Sequence, residues 1–178
     1  CREEKMIKPE PPVESNWDEI GETAKGVILS MKFNSSRDLF LLNETNRKVL
    51  TYWPEGNNLW VYTDSVNIDT VFYNIRSFTF DSIDDLWVGT DKGLLFHSSD
   101  GGFNLDLVDT LGIDDFTDVR ALQVNENDDI FAAVYGAGVY RSVDGGQTWV
   151  NLGPPYENKS FVKYGLEIGP GGVIYITC

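Results

Sequence analysis

A pattern of eight residues recurs four times along the chain and constrains the fold more than any other feature of the sequence. Each copy begins with an apolar residue, crosses a short polar turn and restarts on apolar residues. The copies begin at residues 33, 80, 124 and 168, so the spacings are 47, 44 and 44 residues. Self-similarity at a fixed period of about 20 to 50 residues is the signature of a repeat protein. The copies are Phe33–Phe40, Phe80–Trp87, Val124–Phe131 and Ile168–Tyr175.

Segments of alternating or β-rich composition flank each copy and predict strands on both sides of the turn. The predicted strands before the turn are Val27–Phe33, Ile75–Phe80, Val119–Val124 and Val162–Ile168, and those after it are Leu39–Leu42, Leu86–Thr90, Ile130–Tyr135 and Val173–Thr177. Third strands are predicted at Leu94–Ser98 and Gly138–Ser142, and a fourth begins near Trp149. Four antiparallel strands in about 44 residues is the spacing of a propeller blade. The sequence therefore predicts an all-β protein with the β-propeller fold.

The predicted blades do not fill a whole ring. The last repeat stops in its second strand, while Asn16–Gly21 resembles the fourth-strand segment Thr148–Gly153. An N-terminal strand often closes the last blade of a propeller, which removes an open sheet edge. We therefore expect residues 14–178 to form about three and a half four-stranded blades of a larger propeller that continues beyond Cys178. A four-bladed ring lacking one strand is the alternative. The predicted repeats lie near residues 27–74, 75–118, 119–161 and 162–178.

The charge balance and the few possible metal ligands exclude several classes of function. The chain has 14 Lys and Arg against 28 Asp and Glu, a formal charge of −14, whereas nucleic-acid binding needs a surplus of basic residues. No apolar run approaches the ~18–20 residues of a membrane-spanning helix. With His97 as the one histidine and two cysteines at the chain ends, a zinc site is not expected. No metal or other cofactor is predicted.

The chain begins with Cys1, followed by charged residues and a proline-rich stretch that cannot pack into a core. This start resembles a mature bacterial lipoprotein, whose signal peptide is cut just before a cysteine that then carries the lipid. The run Arg2–Glu4 is similar to the export tag of surface lipoproteins in the Bacteroidota. The resemblance implies a lipid on Cys1, a flexible tether over residues 1–13 and attachment to the outer membrane without spanning it. It also implies exposure at the cell surface, with the periplasmic face as the alternative.

One predicted hairpin carries a specific motif. Ser142–Trp149 matches the pattern Ser-x-Asp-x-Gly-x-Thr-Trp at every defined position, and Ser98–Leu105 is a partial copy without the Thr and Trp. The motif resembles the Asp-box, or BNR, repeat of sialidase-like propellers. We predict a structural role for it, because glycines permit positive φ and an Asp carboxylate can accept backbone N–H bonds inside the turn. The motif residues are Ser142, Asp144, Gly146, Thr148 and Trp149, with Ser98, Asp100 and Gly102 in the partial copy.

The sialidase resemblance implies a cluster of three arginines on one face of the propeller. Arg76 and Arg120 occupy equivalent positions at the start of two predicted inner strands. The register places Leu29 and Tyr164 at the other two equivalent positions, so a third arginine is missing from the set. Pairing of both arginines with nearby carboxylates is the favoured interpretation, and no catalytic residue is predicted.

The remaining polar residues are interpreted as structural groups or partner contacts. The aspartate pairs at 84–85, 114–115 and 128–129 lack the spacing of a calcium-binding loop and are interpreted as solvated turn residues. His97, on a predicted third strand, is interpreted as a surface or packing residue. Propellers bind partners through the loops of one face. Arg76, Arg120 and Tyr135 are therefore the candidate contacts with a ligand or partner.

These resemblances imply binding rather than catalysis. The hypothesis is a non-enzymatic lipoprotein that acts as a binding or scaffold subunit of an outer-membrane protein complex, with other proteins of that complex, or a glycan, as its partners. One alternative is a sialidase-like glycoside hydrolase whose catalytic residues lie mostly in absent blades. The other is the sensor domain of a regulator, because Asp85–Thr90 resembles the repeats of two-component-regulator sensor propellers.

Overall fold

The computed structural model describes residues 27–44, 50–53, 61–62, 67–68, 71–111, 117–153 and 165–177. Within these ranges the regular secondary structure is β-strand, apart from one short 3-10 turn at Pro170–Gly172. No helix in these ranges is long and apolar enough to cross a membrane. The strands are β1 (Val27–Phe33), β2 (Leu39–Glu44), β3 (Leu50–Trp53), β4 (Val61–Tyr62), β5 (Asn67–Ile68), β6 (Val71–Phe72), β7 (Ile75–Phe80), β8 (Leu86–Thr90), β9 (Leu94–Ser98), β10 (Asp106–Thr110), β11 (Asp118–Val124), β12 (Ile130–Tyr135), β13 (Gly138–Ser142), β14 (Val150–Asn151), β15 (Gly165–Ile168) and β16 (Ile174–Thr177).

The strands form successive antiparallel sheets in which neighbours in sequence are neighbours in space. Strands β1–β4, β7–β10 and β11–β14 make three four-stranded sheets, which we call blades one, two and three. Strands β15 and β16 pair as a hairpin, which we call the half-blade, and β5 and β6 form a separate small hairpin. The all-β prediction is confirmed.

The predicted strand bounds agree closely with the structure. Strands β1, β7, β8, β9, β12 and β13 begin and end at the predicted residues. Strand β11 begins one residue early at Asp118, β16 begins one residue late at Ile174, and β2 extends to Glu44. Residues 1–26 lie outside the described ranges, so the tether over residues 1–13 and the strand at Asn16–Gly21 stay predictions. Cys1, Tyr164 and Cys178 also lie outside these ranges.

The first strands of the blades converge on a common axis. The Lys32 ammonium on β1 lies 3.4 Å from Thr79 Oγ1 on β7 and 3.5 Å from Gln123 Oε1 on β11. One side chain of blade one therefore reaches the innermost strands of blades two and three. This is the radial arrangement of a propeller, with β1, β7, β11 and β15 as the inner strands.

Each apolar cluster lies between two successive blades. Within β8, Leu86 and Val88 face blade one, whereas Trp87 faces blade three. A strand that is buried on both faces reads as a nearly continuous apolar run, which explains why β8 does not alternate strictly. The first cluster contains Phe40, Leu42, Ile75, Phe78, Leu86, Val88 and Phe96; the second contains Trp87, Leu95, Leu111, Val119, Leu122, Ile130, Ala132 and Val134; the third contains Phe131, Ala133, Val139 and Leu166.

The outer face of blade one lacks such a neighbour among the described residues. Met31 and Phe33 are 58% and 63% exposed, whereas Phe78, the counterpart of Met31 in blade two, is 2% exposed. In blade two this face is buried against the preceding blade, whereas in blade one it is exposed apolar surface.

The tight turn after each inner strand shares one hydrogen bond and one left-handed residue in all four repeats, although the fourth turn is a 3-10 turn with a second positive φ at Gly171. Its fourth residue has positive φ in every copy, with values of 66°, 68°, 60° and 77° at Arg37, Asp84, Asp128 and Gly172. The amide of this residue donates to the carbonyl of the first turn residue in every copy. Asp can adopt the left-handed conformation more readily than most residues, and Gly adopts it freely.

Two of these turns also link adjacent blades. The Asp84 carboxylate accepts hydrogen bonds from the Ser35 amide and hydroxyl of blade one. Asp128 accepts the same pair from Ser82 of blade two, at 3.0 Å and 2.6 Å. We call each such Ser–Asp pair a turn link. Of the aspartates predicted to be solvated, Asp128 is exposed, Asp84 and Asp85 are half-buried, and Asp129 is buried, so the prediction is wrong for Asp129. Asp84 and Asp128 also hold neighbouring blades together. The pair at 114–115 lies outside the described ranges.

Blades two and three approach closely at Gly89 of β8. A Cβ atom at this position would lie 2.4 Å from Val119 Cγ1 and 2.7 Å from Ser77 Oγ. The Ser77 hydroxyl donates to the Val119 carbonyl at 2.7 Å, which is a buried hydrogen bond between the two blades. The junction therefore requires a residue without a side chain.

We expect Gly89→Ala to lower the free energy of unfolding by about 1–3 kcal/mol, because the added methyl group must push the blades apart. Urea unfolding followed by tryptophan fluorescence measures the change. Gly165→Ala is the matched control, since a Cβ there meets Thr177 Oγ1 at 3.4 Å and meets nothing closer. Equal unfolding midpoints for Gly89→Ala and the unsubstituted protein would contradict this account of the junction.

Candidate functional site

The hairpin between β13 and β14 is held by a closed set of side-chain hydrogen bonds. The Ser142 hydroxyl donates to Asp144 Oδ1 at 2.9 Å and accepts the Gly146 amide at 2.9 Å. Asp144 accepts the Thr148 amide at 2.9 Å and the Thr148 hydroxyl at 2.6 Å. Every polar residue of the motif is therefore used within the turn. This geometry makes the hairpin a rigid structural unit.

The same hairpin packs against blade two. Gly146 has φ of 82°. A Cβ on Gly146 would lie 2.6 Å from the Trp87 ring. The Trp149 indole donates to the Gly146 carbonyl at 3.1 Å and lies against the second apolar cluster. Glycine is required here for its φ and for the close approach of Trp87.

The partial copy between β9 and β10 reproduces this network with one replacement. Ser98 donates to Asp100 Oδ1 at 2.7 Å and accepts the Gly102 amide at 2.8 Å. Asn104 takes the place of Thr148, because its amide and its Nδ2 donate to Asp100 at 2.9 Å and 2.5 Å. Sequence reasoning missed this equivalence, although a donor side chain four residues after the aspartate is visible in both copies.

Hydrogen bonding alters the acidity of both turn aspartates. Donors from Asn104 and Ser98 lower the pKa of Asp100 to about 2. Donors from Thr148 and Ser142 lower the pKa of Asp144. In each case the donors favour the charged form, which is the direction expected for a carboxylate that accepts several hydrogen bonds.

A contact between a carboxylate and a nitrogen-bearing side chain recurs between the second and third strands of blades two and three. His97 Nε2 lies 2.8 Å from Asp85 Oδ2, and Arg141 Nη2 lies 2.6 Å from Asp129 Oδ2. Asp81, Asp85 and His97 place three potential metal ligands within 4.8 Å of one another. The corresponding contact in blade three uses an arginine, and a guanidinium has donors only. The equivalence favours a structural role for the contact at both positions.

The candidate contacts Arg76, Arg120 and Tyr135 come together around Asp118. Arg120 Nη2 lies 2.7 Å and Arg76 Nε lies 3.7 Å from Asp118 Oδ2. The Arg120 guanidinium carbon lies 4.7 Å from the centre of the Tyr135 ring. The structure therefore places all three candidates at one end of the axis, where the inner strands begin. Asp118 was not singled out from the sequence, because it belongs to the blade that follows Arg76.

The inner strands of three blades carry a β-bulge at the same position, near the end of the axis where the arginines lie. The pairing register shifts between Ile28 and Ser30, between Ile75 and Ser77, and between Val119 and Ala121. The residues skipped are Leu29, Arg76 and Arg120. Bulges redirect a side chain and concentrate at barrel rims and near active sites. Both arginines thus project from bulges that the repeat places at equivalent positions.

A groove of about 400 Å³ runs between the inner strands. Its walls include Arg76 and Arg120 at one end and Lys32 and Glu167 at the other. We call it the axial groove. Sequence reasoning missed Lys32 and Glu167, although both stand one residue before the end of an inner strand.

Comparisons with known proteins identify the fold at low sequence identity. No family model and no curated protein matches the chain. The extracellular domain of a hybrid two-component system from B. thetaiotaomicron matches with a TM-score of 0.67 and 13% identity, over 88% of this chain and 21% of that one. YCF48 from Cyanidioschyzon merolae matches with a TM-score of 0.64 and 17% identity, over 90% of this chain and 49% of that one.

A third structure is PorZ, a bacterial surface component of the type-IX secretion system of Porphyromonas gingivalis. It matches with a TM-score of 0.62 and 17% identity, over 84% of this chain and 24% of PorZ. The chain therefore spans at most about half the length of these three proteins. The matches confirm the β-propeller fold.

Acid should weaken both hairpins. A carboxylate with a lowered pKa stabilises the fold fully above its unfolded value, about 3.9 for Asp, and loses that contribution as the pH falls through its folded value. For Asp100 the loss runs from about pH 5 to about pH 2. We expect Asp100→Asn and Asp144→Asn to flatten the fall of the melting temperature over this range.

The exposed Asp106 on β10 provides the matched control, because Asp106→Asn removes the same charge outside both hairpins. Thermal melts at half-unit pH steps make the comparison. If Asp144→Asn keeps the pH dependence of the unsubstituted protein, the hydrogen bonds of the hairpin do not account for the acid sensitivity.

Proposed function

We propose that this chain is part of a non-enzymatic β-propeller that acts at the bacterial cell surface as a binding or scaffold subunit of an outer-membrane protein complex. The observation that carries the proposal is the cluster of Arg76, Arg120 and Tyr135 around Asp118. Arg and Tyr are enriched at the energetic centres of protein interfaces. Here they are held in position by an ion pair and by contact between a guanidinium and a ring, so little side-chain entropy is lost on binding.

The chemistry of the cluster suits recognition better than hydrolysis. Asp118 is about 13% exposed and binds both arginines, so their charges are partly balanced inside the protein. An arginine set that binds a sugar carboxylate in a hydrolase must be available to the substrate. The sialidase-like alternative would therefore require Arg76 and Arg120 to release Asp118.

Two similar proteins support a role in protein contacts at a surface. PorZ is described as a surface component of a secretion system. YCF48 has been solved bound to the D1 peptide, and that structure matches this chain with a TM-score of 0.57 and 21% identity over 76% of the chain. The exposed apolar face of blade one supports the further proposal that additional blades complete the ring.

The finer assignments belong to the same proposal. We propose that the two hairpins at Ser98 and Ser142 are Asp-box turns, because their serine and aspartate make the same hydrogen bonds. We also propose that Cys1 carries a lipid that anchors the protein in the outer membrane of a member of the Bacteroidota. The sequence of residues 1–13 supports this anchor.

A sensor domain is the second candidate, because the hybrid two-component system has the highest of the three TM-scores given above. A membrane span and a kinase module in the complete polypeptide would favour it over a lipoprotein. The intact mass of protein isolated from its native membrane separates the two, since a diacylated or triacylated Cys1 fits only the lipoprotein.

Site-specific photo-crosslinking in the native cell tests the binding role. A photoreactive phenylalanine analogue at Tyr135 should crosslink to a protein of the cell envelope, and Arg120→Gln should reduce the yield several-fold. The control position is Val143, which is 64% exposed at the opposite end of blade three. Equal crosslinking from both positions, or none from Tyr135, would refute the assignment of this end of the axis as the contact surface.

A further inference from the structure

Four equivalent residues form a polar ring at the end of the axial groove that is far from the arginines. They stand one position before the last residue of each inner strand and are Lys32, Thr79, Gln123 and Glu167. Lys32 contacts Thr79 and Gln123 directly. The Glu167 carboxylate acts on the Lys32 charge through space. Each repeat therefore contributes one polar side chain to this ring.

The next ring along the axis consists of small residues. Ser30, Ser77, Ala121 and Gly165 lie two positions earlier in the four inner strands, and all four line the axial groove. No side chain in this ring is larger than serine, so the ring does not close the groove. The lysine end and the arginine end lie three residues apart along a strand, which corresponds to about 10 Å. The groove thus has the length of a short extended chain.

The Lys32 ammonium has the Glu167 carboxylate nearby, but among the described residues it makes no direct ion pair. Its contacts with Thr79 Oγ1 and Gln123 Oε1, at 3.4 Å and 3.5 Å, are long and involve neutral oxygen atoms. None of the salt bridges among the described residues includes Lys32. Burial lowers the pKa of its ammonium, and the nearby Glu167 opposes that shift. A partly buried charge is costly without an opposite charge in direct contact, and Glu167 does not make that contact, so an anion in the groove would complete this site.

Positive charge is concentrated in the axial groove of an otherwise acidic protein. Three of the six Lys and Arg side chains in the described ranges line it, namely Lys32, Arg76 and Arg120. The chain as a whole carries a formal charge of −14. Glu167 in the wall and Asp118 beside the arginines oppose these three cations, so the groove keeps a net positive charge and attracts an acidic ligand that most of the surface repels.

The walls favour a peptide over a sugar. The aromatic residue among the groove residues, Phe78, is 2% exposed, so it offers no open face on which a sugar ring could stack. The Ser30 hydroxyl and the open edges of the inner strands can pair with an extended backbone instead.

We propose that the axial groove binds an extended peptide through one carboxylate, with that carboxylate on Lys32 and the chain directed past the small ring toward Arg76 and Arg120. The inference deepens the proposed binding function and rests on it. The carboxylate can come from a peptide C-terminus or from an acidic side chain, and the chemistry at Lys32 is the same for both.

Three matched peptides and one sugar acid test the proposal by NMR titration of the full chain. The probes are acetyl-tetraalanine with a free C-terminus, the same peptide amidated, an amidated acetyl-Ala-Asp-Ala-Ala, and glucuronate. At least one carboxylate peptide should bind about tenfold or more tightly than the fully neutral one, because a hydrogen-bonded charge pair is lost with the carboxylate. The ratio between the two acidic peptides identifies the source of the carboxylate.

Lys32→Met removes the charge while it keeps an apolar stem, and it should abolish the preference for the carboxylate peptide. Lys32→Arg should restore much of that preference. Lys92→Met, in the exposed turn between β8 and β9, should leave affinity unchanged. Thermal melts verify that each variant is folded.

Equal affinity for the acidic and neutral peptides, an unchanged preference in Lys32→Met, or tighter binding of glucuronate than of either acidic peptide would overturn the proposal. Photo-crosslinking at Tyr135 tests the surface-binding function separately from the peptide titration. A positive crosslink together with a failed titration would reject the peptide groove and leave the surface-binding function standing.

Discussion

Each blade has to bury both faces of its sheet, and the surfaces that cover those faces belong to the blades on either side. Phe40, Trp87 and Phe131 occupy equivalent positions, and each packs into the junction with the following repeat. An isolated four-stranded sheet of this kind would leave these rings in water, so a single blade cannot be stable alone. The close approach at Gly89 shows how little space the junction leaves. Packing between repeats is therefore the interaction on which the rest of the structure depends.

The same packing determines the chemistry of the axis. Because successive inner strands are held in the same register, equivalent residues of different repeats meet around one line. Lys32 reaches Thr79 and Gln123 in this way, and Asp118 meets Arg76 from the preceding blade. No local motif contains these groups. The axial groove is thus a property of the register between blades, whereas the hairpins at Asp100 and Asp144 are fixed by bonds within a few residues.

This difference explains what the sequence could predict. Strand positions and the motif hairpin follow from alternation, period and turn composition, which are local. The structure reproduces the predicted strands to within about two residues, apart from residues 162–164 of the strand predicted at Val162–Ile168, which lie outside the described ranges. The links from Ser35 to Asp84 and from Arg76 to Asp118 join residues 42 to 49 positions apart, and they depend on how the blades pack. Alignment of the four repeats on their last inner-strand residue would have brought Lys32 and Glu167 together. In such an alignment all four repeats have a polar residue at this position, and this shared polarity is the sequence signal that predicts the groove residues.

The turn links run in one direction only. The serine of each blade donates to an aspartate of the following blade, first at Asp84 and then at Asp128, while the next equivalent pair is Glu126 and Gly172 and has no such chemistry. A head-to-tail junction of this kind uses two different surfaces, so it carries no information about how many units follow. Duplication of one whole repeat would preserve the contacts on both of its sides. The number of blades in such a protein can therefore change during evolution by gain or loss of complete repeats. The curvature of the ring, rather than the junction, determines how many blades close it.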